Sequence, residues 1–97
     1  MFVFGNGGSS TDAASLASLF ANPPSGRPVA ARTLVADAAV LTALGNDVGF
    51  DLVFSRQLIA HGRRDDVAIG LSTSGTSRNV LAAFATARER DIDRAHA

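Results

Sequence analysis

The chain reads as an α/β fold with a parallel sheet flanked by helices, and three observations predict it. Short apolar runs at residues 1–4, 29–34 and 67–71 alternate with segments whose apolar residues recur at helical spacing. The first and third runs each end in a loop of Gly, Ser and Thr that leads straight into such a segment. Strands that alternate with helices imply parallel pairing through right-handed crossovers.

The first strand, residues 1–4, is short, aromatic and β-branched, and Gly5 stops it. A helix is expected over residues 12–21, where Leu16, Leu19 and Phe20 fall on one face and Asn22-Pro-Pro-Ser-Gly26 ends it. Asp12 is read as its N-cap or first-turn acid. Residues 29–34 form a second strand interrupted by Arg32; Asp37 then precedes a helix over residues 38–44, closed by Gly45-Asn46-Asp47. Phe50, Val53, Phe54, Leu58 and His61 mark the next helix by the same period, and Gly62 to Asp66 turn the chain into a third strand at residues 67–71. That strand is almost wholly apolar, as one covered on both faces would be. Val80, Leu81, Phe84 and Ala87 stripe the last helix.

Residues 88–97, Arg-Glu-Arg-Asp-Ile-Asp-Arg-Ala-His-Ala, carry no glycine turn and no fourth apolar run, so they read as a fraying tail that includes His96. Three strands are therefore expected, with the third as an open apolar edge that favours self-association.

Composition narrows the function classes. With 97 residues, 46% hydrophobic and 19% charged, the chain suits one globular domain spanning residues 1–97. Nine Arg balance nine acidic residues, so no overall field favours nucleic acid or an anionic membrane, and any anion must be held locally. The absence of Cys excludes disulfides and thiolate metal sites. The two His lie far apart without carboxylates at ligand spacing, so no metal site is expected from the chain itself. No signal peptide or 18-residue apolar run is seen, which makes the cytoplasm the expected compartment.

The two loops carry the chemistry. Gly5-Asn6-Gly7-Gly8-Ser9-Ser10 lacks the third glycine of a dinucleotide fingerprint, and a chain without Lys has no P-loop lysine. Glycines that bare the backbone, a helix N-terminus and the neutral donors Asn6, Ser9, Ser72, Thr73, Ser74 and Ser77 remain, and these suffice to hold a phosphate. Either loop alone would serve as an ordinary turn and cap. Two of them at equivalent places in a parallel sheet point to a ligand, because such sheets bind beyond the carboxyl ends of their strands.

Phe4-Gly-Asn-Gly-Gly-Ser9, Gly45-Asn-Asp47 with Gly49-Phe50 and Phe54-Ser-Arg-Gln57, and Gly70-Leu-Ser-Thr-Ser-Gly-Thr-Ser77 with Asn79-Val80 together resemble the sugar isomerase (SIS) domain of the phosphoheptose isomerases. The resemblance covers residues 2 to about 90 and implies a flavodoxin-like three-layer fold with five parallel strands, of which about three would be present here. It implies contacts to a sugar phosphate from Asn6, Gly7, Gly8, Asn46, Asp47, Ser72, Thr73, Ser74 and Ser77. It also implies isomerisation of sedoheptulose 7-phosphate, zinc, and tetramers. The family's His and Glu, one turn apart on the first helix, are here Ser15 and Leu19. Its late Gln and His and its last two strands are expected beyond residue 97, so the chain reads as a truncated form. A second reading is a non-catalytic module that senses sugar phosphates or binds a protein.

Overall fold

The computed structural model describes residues 1–97. Its sheet has four parallel strands, β1 (Phe2–Gly5), β2 (Arg32–Thr33), β3 (Val67–Leu71) and β4 (Asp93–His96), in the order β2-β1-β3-β4. Four helices accompany them: α1 (Gly8–Ala21), α2 (Ala38–Asp47), α3 (Val53–His61) and α4 (Arg78–Glu89). No helix is long and apolar enough to cross a membrane.

Strand alternation sorts the core into two layers. Phe2 and Phe4 point from β1 into a cluster with Val53, Phe54, Leu58, Val80, Ala83 and Ala87 of α3 and α4, while Val3 points the other way, against Ala13 and Ala17 of α1. Phe4 is fully buried, with its ring centroid 5.2 Å from Phe54 and 6.0 Å from Phe84. Gly70 sits opposite it in register, and a Cβ there would lie 2.7 Å from Phe84 and 2.9 Å from Val80. The missing side chain is what lets α4 lie close on the sheet. Buried Gln57 ties the chain just after β2 to α3, donating both to Leu34 O and to Val53 O at 2.9 Å.

The structure corrects several expectations. Residues 93–96 form β4, not a tail, with Val67↔Asp93 through Gly70↔His96 in register. The sheet thus has four strands where three were expected, and β3 lies inside it. The open edge belongs to a charged strand, which removes the ground for self-association through an apolar third strand. β3 is nevertheless not covered on both faces. Ala68 and Gly70 are buried under α4, but Val67, Ile69 and Leu71 on the α1 face are only half-buried.

The second strand shrinks from residues 29–34 to Arg32–Thr33. Val29 N–H bonds to Phe20 O at the end of α1, and the terminal amine of Met1 occupies Ala30 O. α1 begins at Gly8, so Asp12 lies within the helix and does not cap it. α2 is capped by Asp37, whose Oδ1 accepts from Val40 N–H at 3.1 Å, and it runs on through Gly45, Asn46 and Asp47, which were expected to close it. A 3₁₀ turn at Phe50–Leu52 precedes α3, and Phe50 is exposed.

Gly70→Ala is expected to lower stability by about 1–3 kcal/mol through overpacking against Phe84 and Val80. The urea midpoint of unfolding reads it, and an unchanged midpoint would contradict this packing.

Candidate functional site

The sheet register brings the two loops together. Gly5↔Leu71 is the last pair of the β1–β3 ladder, so the chain leaves both strands side by side at their carboxyl ends. From Gly5 it turns through Asn6 and Gly7 into α1, and from Leu71 through residues 72–77 into α4.

Gly7 caps α1 with φ of 54°, a conformation that glycine adopts without steric cost, and no side chain caps the helix. Ser9 N–H is taken by Asn6 O and Ser10 N–H by Gly7 O. Gly7 and Gly8 are exposed, and the start of the helix presents its positive dipole end beside them. Ser9 is half-buried and its hydroxyl has no hydrogen-bond partner.

The second loop is a small knot of hydroxyls. Ser72 Oγ lies 3.3 Å from Ser74 Oγ and 3.2 Å from Ser77 Oγ; Gly75 N–H donates to Ser72 Oγ at 3.1 Å and Thr76 N–H to Ser74 Oγ at 3.2 Å. Gly75 has φ of 71°, the left-handed conformation in which successive amides form an anion-binding concavity. Thr73 stands outside the knot: it is exposed and makes no side-chain hydrogen bond.

A reciprocal amide pair locks the loops to each other. Asn6 Nδ2 donates to Asn79 Oδ1 at 2.8 Å, and Asn79 Nδ2 donates to Asn6 Oδ1 at 2.9 Å. Asn79 is 2% exposed. Asn6, expected as a donor to the ligand, thus spends one of its two amide N–H groups and one acceptor site on Asn79. The pair ties the glycine turn to the start of α4. Asn79 itself was seen in the sequence only as part of a motif, because a contact across 73 residues leaves no local pattern.

Asn46 and Asp47 are not joined to either loop. Both are exposed at the end of α2, and Asn46 Nδ2 donates to Asp47 Oδ1 at 3.2 Å. The 3₁₀ turn that follows is tied to the start of α4 by Arg78 and Asp51, 3.9 Å apart and both exposed, a contact of little energetic weight. His61 ends α3 and is exposed; His96 lies in β4, with its ring edge-on to Phe84 at 6.2 Å.

A SIS domain sequence profile matches residues 1–93. The chain belongs to the SIS domain family. Its relatives include the phosphoheptose isomerase of Rhodospirillum rubrum, 48% identical over a 94-residue alignment that covers 91% of this chain and 48% of the relative. That of Neisseria gonorrhoeae is 49% identical over a 94-residue alignment covering 91% of this chain and 46% of the relative. Among solved structures, phosphoheptose isomerase GmhA from Neisseria gonorrhoeae superposes with a TM-score of 0.88 at 44% identity, over 97% of this chain and 50% of that one. A phosphoheptose isomerase from Francisella tularensis gives 0.92 at 34% identity, over 98% and 51%. This SIS domain thus spans about half the length of the relatives it matches.

The zinc that the resemblance implies does not fit the residues present. Ser15 and Leu19 lie one turn apart on the exposed face of α1, Leu19 has no donor atom, and no group of three His, Cys, Asp or Glu stands close enough to hold a metal.

Asn6→Ala and Asn79→Ala are each expected to destabilise the fold by about 1–3 kcal/mol, since each leaves a partly buried amide without its partner. A double-mutant cycle should return a coupling of about 1 kcal/mol or more. Additive losses would show that the pair does not bind the two loops.

Proposed function

We propose that this chain is a phosphosugar-binding SIS domain in which the two loops hold the phosphate group of a sugar phosphate. The observation that carries the proposal is the convergence of Ser72, Ser74 and Ser77 hydroxyls with the amides of Gly75 and Thr76, next to the start of α1. Hydroxyls reorient to donate, and the amides now turned to Ser72 and Ser74 offer their protons to a stronger acceptor when an anion arrives. Gly7 and Gly8 allow that anion to approach the backbone of α1 without side chains in the way. Asn6 acts through Asn79 by fixing the turn, and Asn46 and Asp47 are assigned to the sugar hydroxyls on the strength of the family resemblance.

Isomerisation of the kind named for the relatives moves a proton between adjacent carbons and needs a placed base and acid. Ser15 and Leu19 supply neither, and no carboxylate or imidazole joins the hydroxyl knot through a hydrogen bond. These 97 residues are therefore assigned binding without turnover. The same observation favours the second reading, a module that senses a sugar phosphate and does not convert it.

Sedoheptulose 7-phosphate at millimolar concentration is expected to raise the thermal unfolding midpoint, and sedoheptulose is not. Equal midpoints with both sugars would overturn the phosphate assignment. In the Ser72→Ala/Ser74→Ala variant the shift should shrink while the unliganded midpoint stays within a few degrees, because Ser74 is exposed, Ser72 is only half-buried and their hydroxyls bond only within the loop. An undiminished shift would remove the second loop from the site.

A further inference from the structure

Of the four asparagines in the chain, Asn6 alone is followed by glycine. Asn22 precedes Pro23, Asn46 precedes Asp47, and Asn79 precedes Val80 within α4. A glycine in that place matters chemically, because without a Cβ its amide nitrogen can approach the preceding side-chain carbonyl unhindered. The nitrogen is also available. Ser9 N–H bonds to Asn6 O at 2.9 Å and Ser10 N–H to Gly7 O at 3.0 Å, but the Gly7 N–H between them has no acceptor. Gly7 is exposed and Asn6 half-buried, so water reaches the turn. What restrains the Asn6 carboxamide is its reciprocal pair with Asn79, at 2.8 and 2.9 Å.

We propose that Asn6 is a site of self-deamidation whose rate is set by Asn79. Solvent base takes the Gly7 N–H proton, the nitrogen forms a bond to Asn6 Cγ, and the Cγ–Nδ2 bond breaks, with Nδ2 leaving as ammonia after it takes a proton from water. Water then opens the cyclic imide. Attack at Cγ leaves aspartate at position 6, and attack at the Asn6 backbone carbonyl carbon leaves isoaspartate, with the main chain rerouted through the side chain. Nothing is oxidised or reduced, and water is the only co-reactant. The amide pair opposes this step, because the leaving Nδ2 is the atom that donates to Asn79 Oδ1, and the pair holds the carboxamide on α4 and off Gly7. Reaction therefore proceeds from the fraction of molecules in which the pair is open. That fraction is small, since opening strands the amide of Asn79, which is 2% exposed. The product cannot restore the pair: a carboxylate only accepts, so Asn79 Oδ1 is left without a donor. The new negative charge beside the loops also opposes an anion there. That last consequence rests on the phosphate reading, and the deamidation step does not.

The test is peptide mapping by mass spectrometry of the 97-residue chain during incubation in mildly alkaline buffer. A gain of about 1 Da at Asn6, divided between aspartate and isoaspartate, is expected, with a slower gain at Asn46. The rate at Asn6 should rise about fivefold or more in Asn79→Ala and about tenfold or more in the urea-unfolded chain, where the pair is absent. Gly70→Ala weakens core packing and leaves the pair in place, so it should react like the unaltered chain; this separates opening of the pair from opening of the whole fold. The comparison of folded with unfolded chain needs no variant, and it decides the matter if Asn79→Ala fails to fold. Equal rates in the folded and unfolded chain, equal rates in Asn79→Ala and Gly70→Ala, or equal gains at Asn6 and Asn46 would overturn the proposal. So would the absence of any gain at Asn6 in the folded chain over about a hundred half-lives of the unfolded one.

Discussion

The parallel pairing of β1 with β3 is the constraint on which the remaining structure depends. Its register sets Phe4 beside Gly70, which opens the space that Phe84 and Val80 fill, and it ends with Gly5 beside Leu71. A slip of one residue would turn Phe2 and Phe4 away from the cluster they fill with α3 and α4 and toward α1, where Ala13 and Ala17 pack on Val3. Core packing and loop placement are consequences of one register. The Asn6–Asn79 pair then fixes the loops against each other at the only end of the sheet where both helix starts are available.

That arrangement separates two tasks. Holding an anion needs amides, hydroxyls and a helix dipole, all of which the backbone and small residues supply at net charge zero. Moving a proton needs a titratable group at a chosen atom, and the solvent face of α1 presents Ser15 and Leu19 where the resemblance places such groups. The two sets of requirements draw on different residues. Exposed Leu19 has no part in the core.

The sequence made the buried, regular parts legible. β3, Val80 and Ala87 of the α4 stripe, and the two glycine and serine loops stand where their patterns put them, since apolar runs and turn residues are local signals, whereas Leu81 of that stripe is exposed. β4 was missed because Asp93-Arg-Ala-His96 is an exposed edge strand held by backbone bonds to β3, and nothing in its side chains announces burial. The start of α1 was placed four residues late because a glycine N-cap offers no side chain to recognise. Phe50 was read as core from its period, yet the 3₁₀ turn sets it in solvent. In the site, Ser72, Ser74 and Ser77 converge as their spacing suggested. The occupation of Asn6 by Asn79 is a tertiary fact, and so is the separation of Asn46 and Asp47 from both loops.

The central claim is that one phosphate group lies between the two loops, and a ¹⁵N–¹H correlation titration with sedoheptulose 7-phosphate tests it most directly. The account predicts that the largest amide shifts fall together on Gly7, Gly8, Gly75 and Thr76 and follow a single binding curve. Shifts confined to one loop, or spread over the α2–α3 surface with Gly75 and Thr76 unmoved, would contradict it.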